Sequence, residues 1–136
     1  MREALPPPPD FVFGPVTRTD LVRYAGASGD FNPLHHDETF AREAGLPSVM
    51  AHGMLSAGLL GSFLSAWMEG RFVRRFRVRF VAPVWPGDVL RAEGSVMREM
   101  TEARGFELAL RLRRQDGAEV VTGTALVDAD RWGTKS

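Results

Sequence analysis

The sequence predicts an α+β fold in which one antiparallel sheet serves a single long helix. Three observations lead there. Helical signals occupy the first half of the chain, the apolar period switches from about four to two after Gly70, and no strand–helix–strand alternation follows. Pro6 to Pro9 predict an extended lead-in. Thr17-Arg18-Thr19-Asp20 supplies capping side chains for a helix through Leu21, Val22 and Tyr24, ending near Gly26 to Gly29. A short helix is expected from Asp37 to Ala44, with Gly45 as terminator and Pro47 beyond it. The longest helix should run from about Gly53 to Glu69. Leu55, Leu59, Phe63 and Trp67 recur every fourth residue there, Leu60 and Leu64 widen that face, and Gly58, Gly61, Ser62 and Ser65 form a second face of small residues. Glycine inside a helix costs about 1 kcal/mol against Ala, so close packing against that face is expected.

Beyond Gly70, Phe72, Phe76, Val78 and Phe80 alternate with Val73, Arg75, Arg77 and Arg79, a strand with one apolar and one basic face. Trp85-Pro86-Gly87-Asp88 reads as a turn. Leu90 to Val96 and Phe106 to Leu112 alternate as strands, Asp116-Gly117 marks a hairpin, and Val120 to Val127 is the last strand. One apolar helix cannot bury its whole circumference on a flat sheet of four or five strands; a sheet that curls around it does so.

With 136 residues the chain holds one domain, and 44% hydrophobic with 25% charged residues is the balance of a water-soluble core-forming protein. The absence of cysteine excludes a disulfide scaffold, a thiol nucleophile and cysteine-ligated metal. Lys+Arg and Asp+Glu both total 17, which gives no charge signal for nucleic acid. Lys135 is the sole lysine, which argues against Schiff-base chemistry. No apolar run reaches membrane-spanning length, and Met1 to Leu5 lack the apolar stretch of a signal peptide; a cytoplasmic location is expected.

Chemistry concentrates in Ser28-Gly29-Asp30-Phe31-Asn32-Pro33-Leu34-His35-His36-Asp37. On residue types alone, Asp30 and Asn32 shape a loop as Asx-turn residues. Metal ligation by His35, His36 and Asp37 is disfavoured, because neighbours in an extended segment point to opposite sides. Ser28 and Ser56 lack the setting of a nucleophile elbow. A third reading, beside the loop-shaping one that residue types alone favour, is an Asp30–His35 pair brought together by the Asn32-Pro33 bend and acting on one water. Ala51-His52-Gly53-Met54 opens the long helix. The Gly53 N–H there is either an oxyanion donor or an ordinary helix start, with His52 as a satisfied polar residue.

The run from Tyr24 through Asp37, followed by Ala51-His52-Gly53-Met54 and by Val78 through Asp88, resembles the hydratase motif of MaoC-like proteins. These include (R)-specific enoyl-CoA hydratases and single-domain dehydratases of type II fatty-acid synthesis. The resemblance spans roughly Asp10 to Val127 and implies a hotdog fold. Residues 1–10 would then be a proline-rich lead-in, 11–130 the single hotdog domain and 131–136 a tail. It implies reversible hydration of trans-2-enoyl thioesters to (3R)-hydroxyacyl thioesters, linked to coenzyme A or an acyl-carrier protein. Asp30 and His35 would hold the catalytic water and the Gly53 N–H would face the thioester carbonyl, with Asn32, Ser28 and His52 in support. No cofactor is implied beyond the coenzyme A or phosphopantetheine of the substrate. A homodimer or heterodimer of hotdog subunits joined edge to edge is expected, with a substrate tunnel at the interface.

Some relatives place a serine further along the central helix, where this chain has Gly61-Ser62. Gly58, Gly61 and Ser62 are candidates for widening the acyl tunnel, and Arg75, Arg77 and Arg79 for meeting substrate phosphates or a carrier protein. His36 is assigned to the loop. A hotdog thioesterase is the first rival, but Gly53 to Met68 holds none of the carboxylates that chemistry is expected to draw from the helix. The second rival is a subunit of a heteromeric dehydratase that needs a partner chain.

Overall fold

The computed structural model describes residues 4–133. Met1 to Glu3 of the lead-in, and Thr134 to Ser136 of the tail with the lone Lys135, lie outside the described residues.

Helix α1 (Arg18–Ser28) starts on a capping box. The Thr17 hydroxyl accepts the Asp20 N–H at 3.0 Å, and the Asp20 carboxylate accepts the Thr17 N–H at 2.8 Å. It stops where Gly29 turns left-handed, at φ 75°. Asp37 caps α2 (Glu38–Glu43) by accepting the Phe40 N–H at 3.1 Å. The central helix α3 (Gly53–Met68) follows, about 24 Å long at 1.5 Å per residue.

The sheet comprises β1 (Val12–Phe13), β2 (Arg71–Phe80), β3 (Leu90–Met100), β4 (Gly105–Arg114) and β5 (Glu119–Arg131). All neighbours are antiparallel, in the order β1-β3-β4-β5-β2. It is the curved hotdog sheet, wrapped on α3. Leu108, Leu110 and Leu112 of β4 and Val121, Ala125 and Val127 of β5 are buried on one face together with Leu60, Phe63, Leu64, Trp67 and Met68 of α3.

Three expectations need correction. The buried stripe of α3 runs through Ser56, Ala57, Leu60, Phe63, Leu64, Trp67 and Met68, whereas Leu55 and Leu59 are only half-buried. The small-residue face is not tightly packed. A side chain at Gly58 would meet no atom within 4 Å, and Gly61 sits in ordinary contact beneath the Phe76 ring. The aromatic residues of β2 are not core: Phe72, Phe76 and Phe80 are 57%, 37% and 53% exposed on the last strand of the sheet, whereas Val73 and Val78 pack against the core. The two-residue β1, unmarked in the sequence, closes the opposite edge against Leu90 and Arg91. The proline lead-in is tied down where Trp67 Nε1–H donates to the Pro6 carbonyl at 2.8 Å.

Candidate active site

Four local hydrogen bonds bend the chain so that Asp30 and His35 face each other. Gly29 reverses the backbone after α1, and the Ser28 hydroxyl accepts the Asp30 N–H at 3.2 Å. The Asp30 carboxylate accepts the Asn32 N–H at 3.2 Å. The Asn32 side chain accepts the Leu34 N–H at 3.0 Å, opening a single 3₁₀ turn over Pro33–His35 whose first closing bond runs from the His35 N–H to the Asn32 carbonyl. Both readings of this loop are therefore met at once: Asp30 and Asn32 make Asx turns, and those turns bring His35 Nε2 to 3.7 Å from Asp30 Oδ2.

That separation is too long for a direct hydrogen bond, and an oxygen about 2.8 Å from each group fits between them. The ring orientation of His35 is fixed from behind. Its Nδ1 lies 2.7 Å from the Met50 carbonyl, which only accepts, so Nδ1 carries a proton and the neutral form of the ring turns its Nε2 lone pair toward Asp30. Met50 is itself held by its N–H to the Leu34 carbonyl, and Ala51 by its N–H to the Val84 carbonyl. Asp30 is half exposed, whereas His35 is nearly covered.

His52, 1% exposed, stacks on His35 with ring centroids 3.7 Å apart and packs against Tyr24. Its Nε2–H donates to the Asp30 backbone carbonyl at 3.0 Å, and buried Nδ1 has no partner among the described residues. Asp30, His35 and His52 thus offer ligand-type atoms within 4.8 Å, a cluster the sequence did not disclose. Two imidazoles stacked at 23° direct their lone pairs along nearly parallel planes, so one ion cannot lie in the plane of both. The geometry suits a stacked support for His35.

Burial pushes the His52 imidazole below its usual value of 6.5, against a smaller upward pull from its hydrogen bond to Asp30. The unfolded chain therefore takes up a proton near pH 6.5 that the folded chain refuses. Stability from this group is complete above that pH and is lost as the pH falls below it. Urea unfolding between about pH 5 and 7.5 is expected to show a falling midpoint on acidification, with a shallower slope in His52→Gln. Equal slopes in the two proteins would remove His52 from this role.

Among the described residues helix α3 has no side-chain cap, and no partner is seen there for its first N–H groups at Gly53 and Met54. Gly53 is exposed, and the Phe80 ring stands 3.3 Å from where a Cβ would be. Gly53 and the buried Ser56 border a largely apolar cavity of about 430 Å³ that is also lined by Leu46, Pro47, Phe80, Trp85, Val120 and Val121.

The other predicted residues fall elsewhere. His36 Nε2–H donates to the Phe31 carbonyl and serves the loop. Gly58 and Ser62 are exposed on α3. Arg75, Arg77 and Arg79 lie opposite Leu126, Thr124 and Thr122 on the sheet face turned away from α3, apart from the Gly53 cavity. Sequence reasoning missed the Met50 carbonyl, Tyr24, Ser56 and the Phe80 ring. A backbone acceptor and packing partners carry no residue-type signal.

The family model described as MaoC like domain matches residues 6–111. The chain is 34% identical over 110 residues to an (R)-specific enoyl-CoA hydratase of Aeromonas caviae, covering 79% of this chain and 82% of that protein. It is 31% identical to a 3-hydroxybutyryl-CoA dehydratase of Methylorubrum extorquens, covering 82% and 72%. A match at 32% identity to the mouse peroxisomal multifunctional enzyme type 2 spans 16% of that longer protein. The solved (R)-hydratase of A. caviae superposes with a TM-score of 0.81 at 29% identity, over 93% of this chain and 98% of that one. Fold and relatives together define a hotdog-fold hydro-lyase of the hydratase–dehydratase type. The chain belongs to the MaoC-like domain family.

Proposed function

We propose that this protein reversibly hydrates trans-2-enoyl thioesters to (3R)-hydroxyacyl thioesters, with Asp30 and His35 as the water-holding pair. The observation that supports it most is the 3.7 Å gap between His35 Nε2 and Asp30 Oδ2, with Nδ1 already committed to Met50. A water in the gap donates one O–H to each acceptor and turns its oxygen lone pair toward C3. Its oxygen bonds to C3, the pair takes up one proton and returns it to C2, and the second O–H becomes the alcohol. Atoms balance: one water is consumed and no cofactor is required. Coenzyme A or phosphopantetheine enters as part of the substrate.

As C3–O forms, charge moves onto the thioester oxygen. The Gly53 N–H at the start of α3 is the donor in this reading, and a preorganised donor of this kind is worth a factor of about 100 to 1000. The absence of a Cβ at Gly53 leaves room for that approach beside Phe80. The adjoining cavity has the apolar lining an acyl chain needs. Asn32, Ser28 and His52 hold the pair in place. Gly58, Gly61 and Ser62, exposed or half-buried on α3, remain available to border an acyl chain once a neighbouring subunit covers them. The open edge of β2 supports assembly of two hotdog subunits edge to edge.

The test is loss of enoyl absorbance from a series of trans-2-enoyl-CoAs, with chiral analysis of the product. Conversion to the (3R)-alcohol is expected. Release of free thiol in place of hydration would transfer the protein to the thioesterases.

A further inference from the structure

A serine inside a helix ordinarily settles its hydroxyl on the carbonyl four residues back. Ser56 does not. The His52 carbonyl at that position accepts the Leu55 N–H at 3.1 Å, and among the described residues the Ser56 hydroxyl has no hydrogen-bond partner. Yet Ser56 is only 3% exposed, on the buried stripe of α3 with Ala57 and Leu60. What it borders is the cavity of about 430 Å³ that Gly53 also lines. The other lining side chains are hydrocarbon, apart from the Trp85 indole and the Met50 thioether. A buried hydroxyl with nothing to bond costs the fold stability, and an apolar residue of the same size would not. The hydroxyl is therefore matched to a polar atom of whatever fills the cavity.

That atom is not the thioester oxygen. Ser56 stands three residues beyond Gly53, about 4.5 Å further along the helix axis. An oxygen bonded to the Gly53 N–H lies about 2.9 Å off the opposite end of that interval, because the first N–H groups of a helix point away from its body. A serine side chain leans back toward the helix start by only a fraction of this length. The two positions are thus separated by about 6 Å, too far for one oxygen to accept from both. With C–C bonds of about 1.5 Å, an extended acyl chain covers that distance in roughly five bonds. We infer that Ser56 selects enoyl thioesters whose acyl chain carries an oxygen function, a hydroxyl or a keto group, at C5 or C6. The inference rests on the hydration reading above, with the acyl chain entering this cavity. The pantetheine arm of the substrate has a similar reach, but its amides would meet a hydrocarbon wall with one hydroxyl to serve them. A single hydroxyl in such a wall fits a hydrocarbon chain with a single oxygen.

Titration calorimetry with two saturated, unreactive thioesters reads this selection without turnover. The acyl groups of 5-hydroxyhexanoyl-CoA and 5-methylhexanoyl-CoA have nearly the same shape and differ by a hydroxyl in place of a methyl. The wild type is expected to bind the hydroxy compound about 10-fold more tightly. Ser56→Ala suits the helix, Ala being the better helix former, and should reverse that preference. Ser56→Thr returns a hydroxyl and should restore it. In hydration, the same ratio is expected in kcat/KM for trans-5-hydroxyhex-2-enoyl-CoA against trans-5-methylhex-2-enoyl-CoA. It should be carried by KM, because the contact is the same in the bound substrate and the transition state.

Equal affinities in the wild type, or a preference that Ser56→Ala leaves in place, overturn the inference. So does a loss of affinity for both compounds by one factor in Ser56→Ala, which assigns the hydroxyl to the thioester arm they share. Binding of neither compound overturns it as well. A calorimetric preference without hydration of either enoyl thioester leaves the inference standing and removes the hydration reading. Hydration of both at equal kcat/KM, with equal affinities, does the reverse.

Discussion

Replacing Asp30 by Asn is expected to lower kcat for enoyl-thioester hydration by a factor on the order of 1000, with the thermal midpoint unchanged. The asparagine oxygen still accepts the Asn32 N–H that Asp30 accepts at 3.2 Å, so the loop keeps its shape. What changes is the group facing the water: a neutral amide replaces an anionic acceptor beside His35 Nε2. His35→Gln should fall comparably, since it removes the nitrogen that faces the gap while the Met50 carbonyl keeps a possible donor. Because the two groups handle one proton between them, the double variant should be little worse than either single one. Near-normal turnover by a folded Asp30→Asn protein would rule out the water-pair mechanism. A multiplicative loss in the double variant would show two independent roles.

The elements that local chemistry specifies were legible in the sequence. Thr17 and Asp20 announce a capping box, Asp37 and Gly45 bracket the short helix, and the Asp116-Gly117 turn closes a hairpin with Arg114 N–H to the Ala118 carbonyl at 2.9 Å. The antiparallel strands followed from period two. The edge position of β2 did not, because strand order is a tertiary property. The same alternation that buries Leu108 and Leu110 in mid-sheet leaves Phe76 and Phe80 exposed at the rim.

The site divides along the same line. Asp30, His35 and the Asn32 bend are encoded within six residues, and the resemblance to MaoC-like proteins gave them roles. The stacking of His52 on His35 brings together residues 17 positions apart, and the carbonyl that sets the His35 tautomer comes from Met50. Those contacts exist only because Leu34 and Val84 hold the 50–51 segment between them. The basic face of β2 was visible as a pattern. Its neighbours on β5, Leu126, Thr124 and Thr122, are set by strand order and were not.

The largest stability effect is expected where β3 crosses the central helix. Gly94, in register with Leu110, lies so close to α3 that a Cβ there would stand 2.5 Å from Trp67 Cζ3 and 3.1 Å from Phe63 Cε2. Trp67 cannot easily yield: it is 1% exposed, its Nε1–H is bonded to the Pro6 carbonyl, and its ring packs 5.9 Å from Phe63. Gly94→Ala should therefore cost about 1–3 kcal/mol in urea unfolding, despite adding only a methyl group. Trp67→Phe should also destabilise, by leaving a void and an unpaired carbonyl at Pro6. Together the two should cost less than their sum, by at least about 1 kcal/mol, because the added methyl occupies space the smaller ring vacates. Strict additivity would mean that β3 moves away from the helix to relieve the clash. The sheet's curl would then be compliant at this crossing, and Gly94 would not be what lets it close on α3.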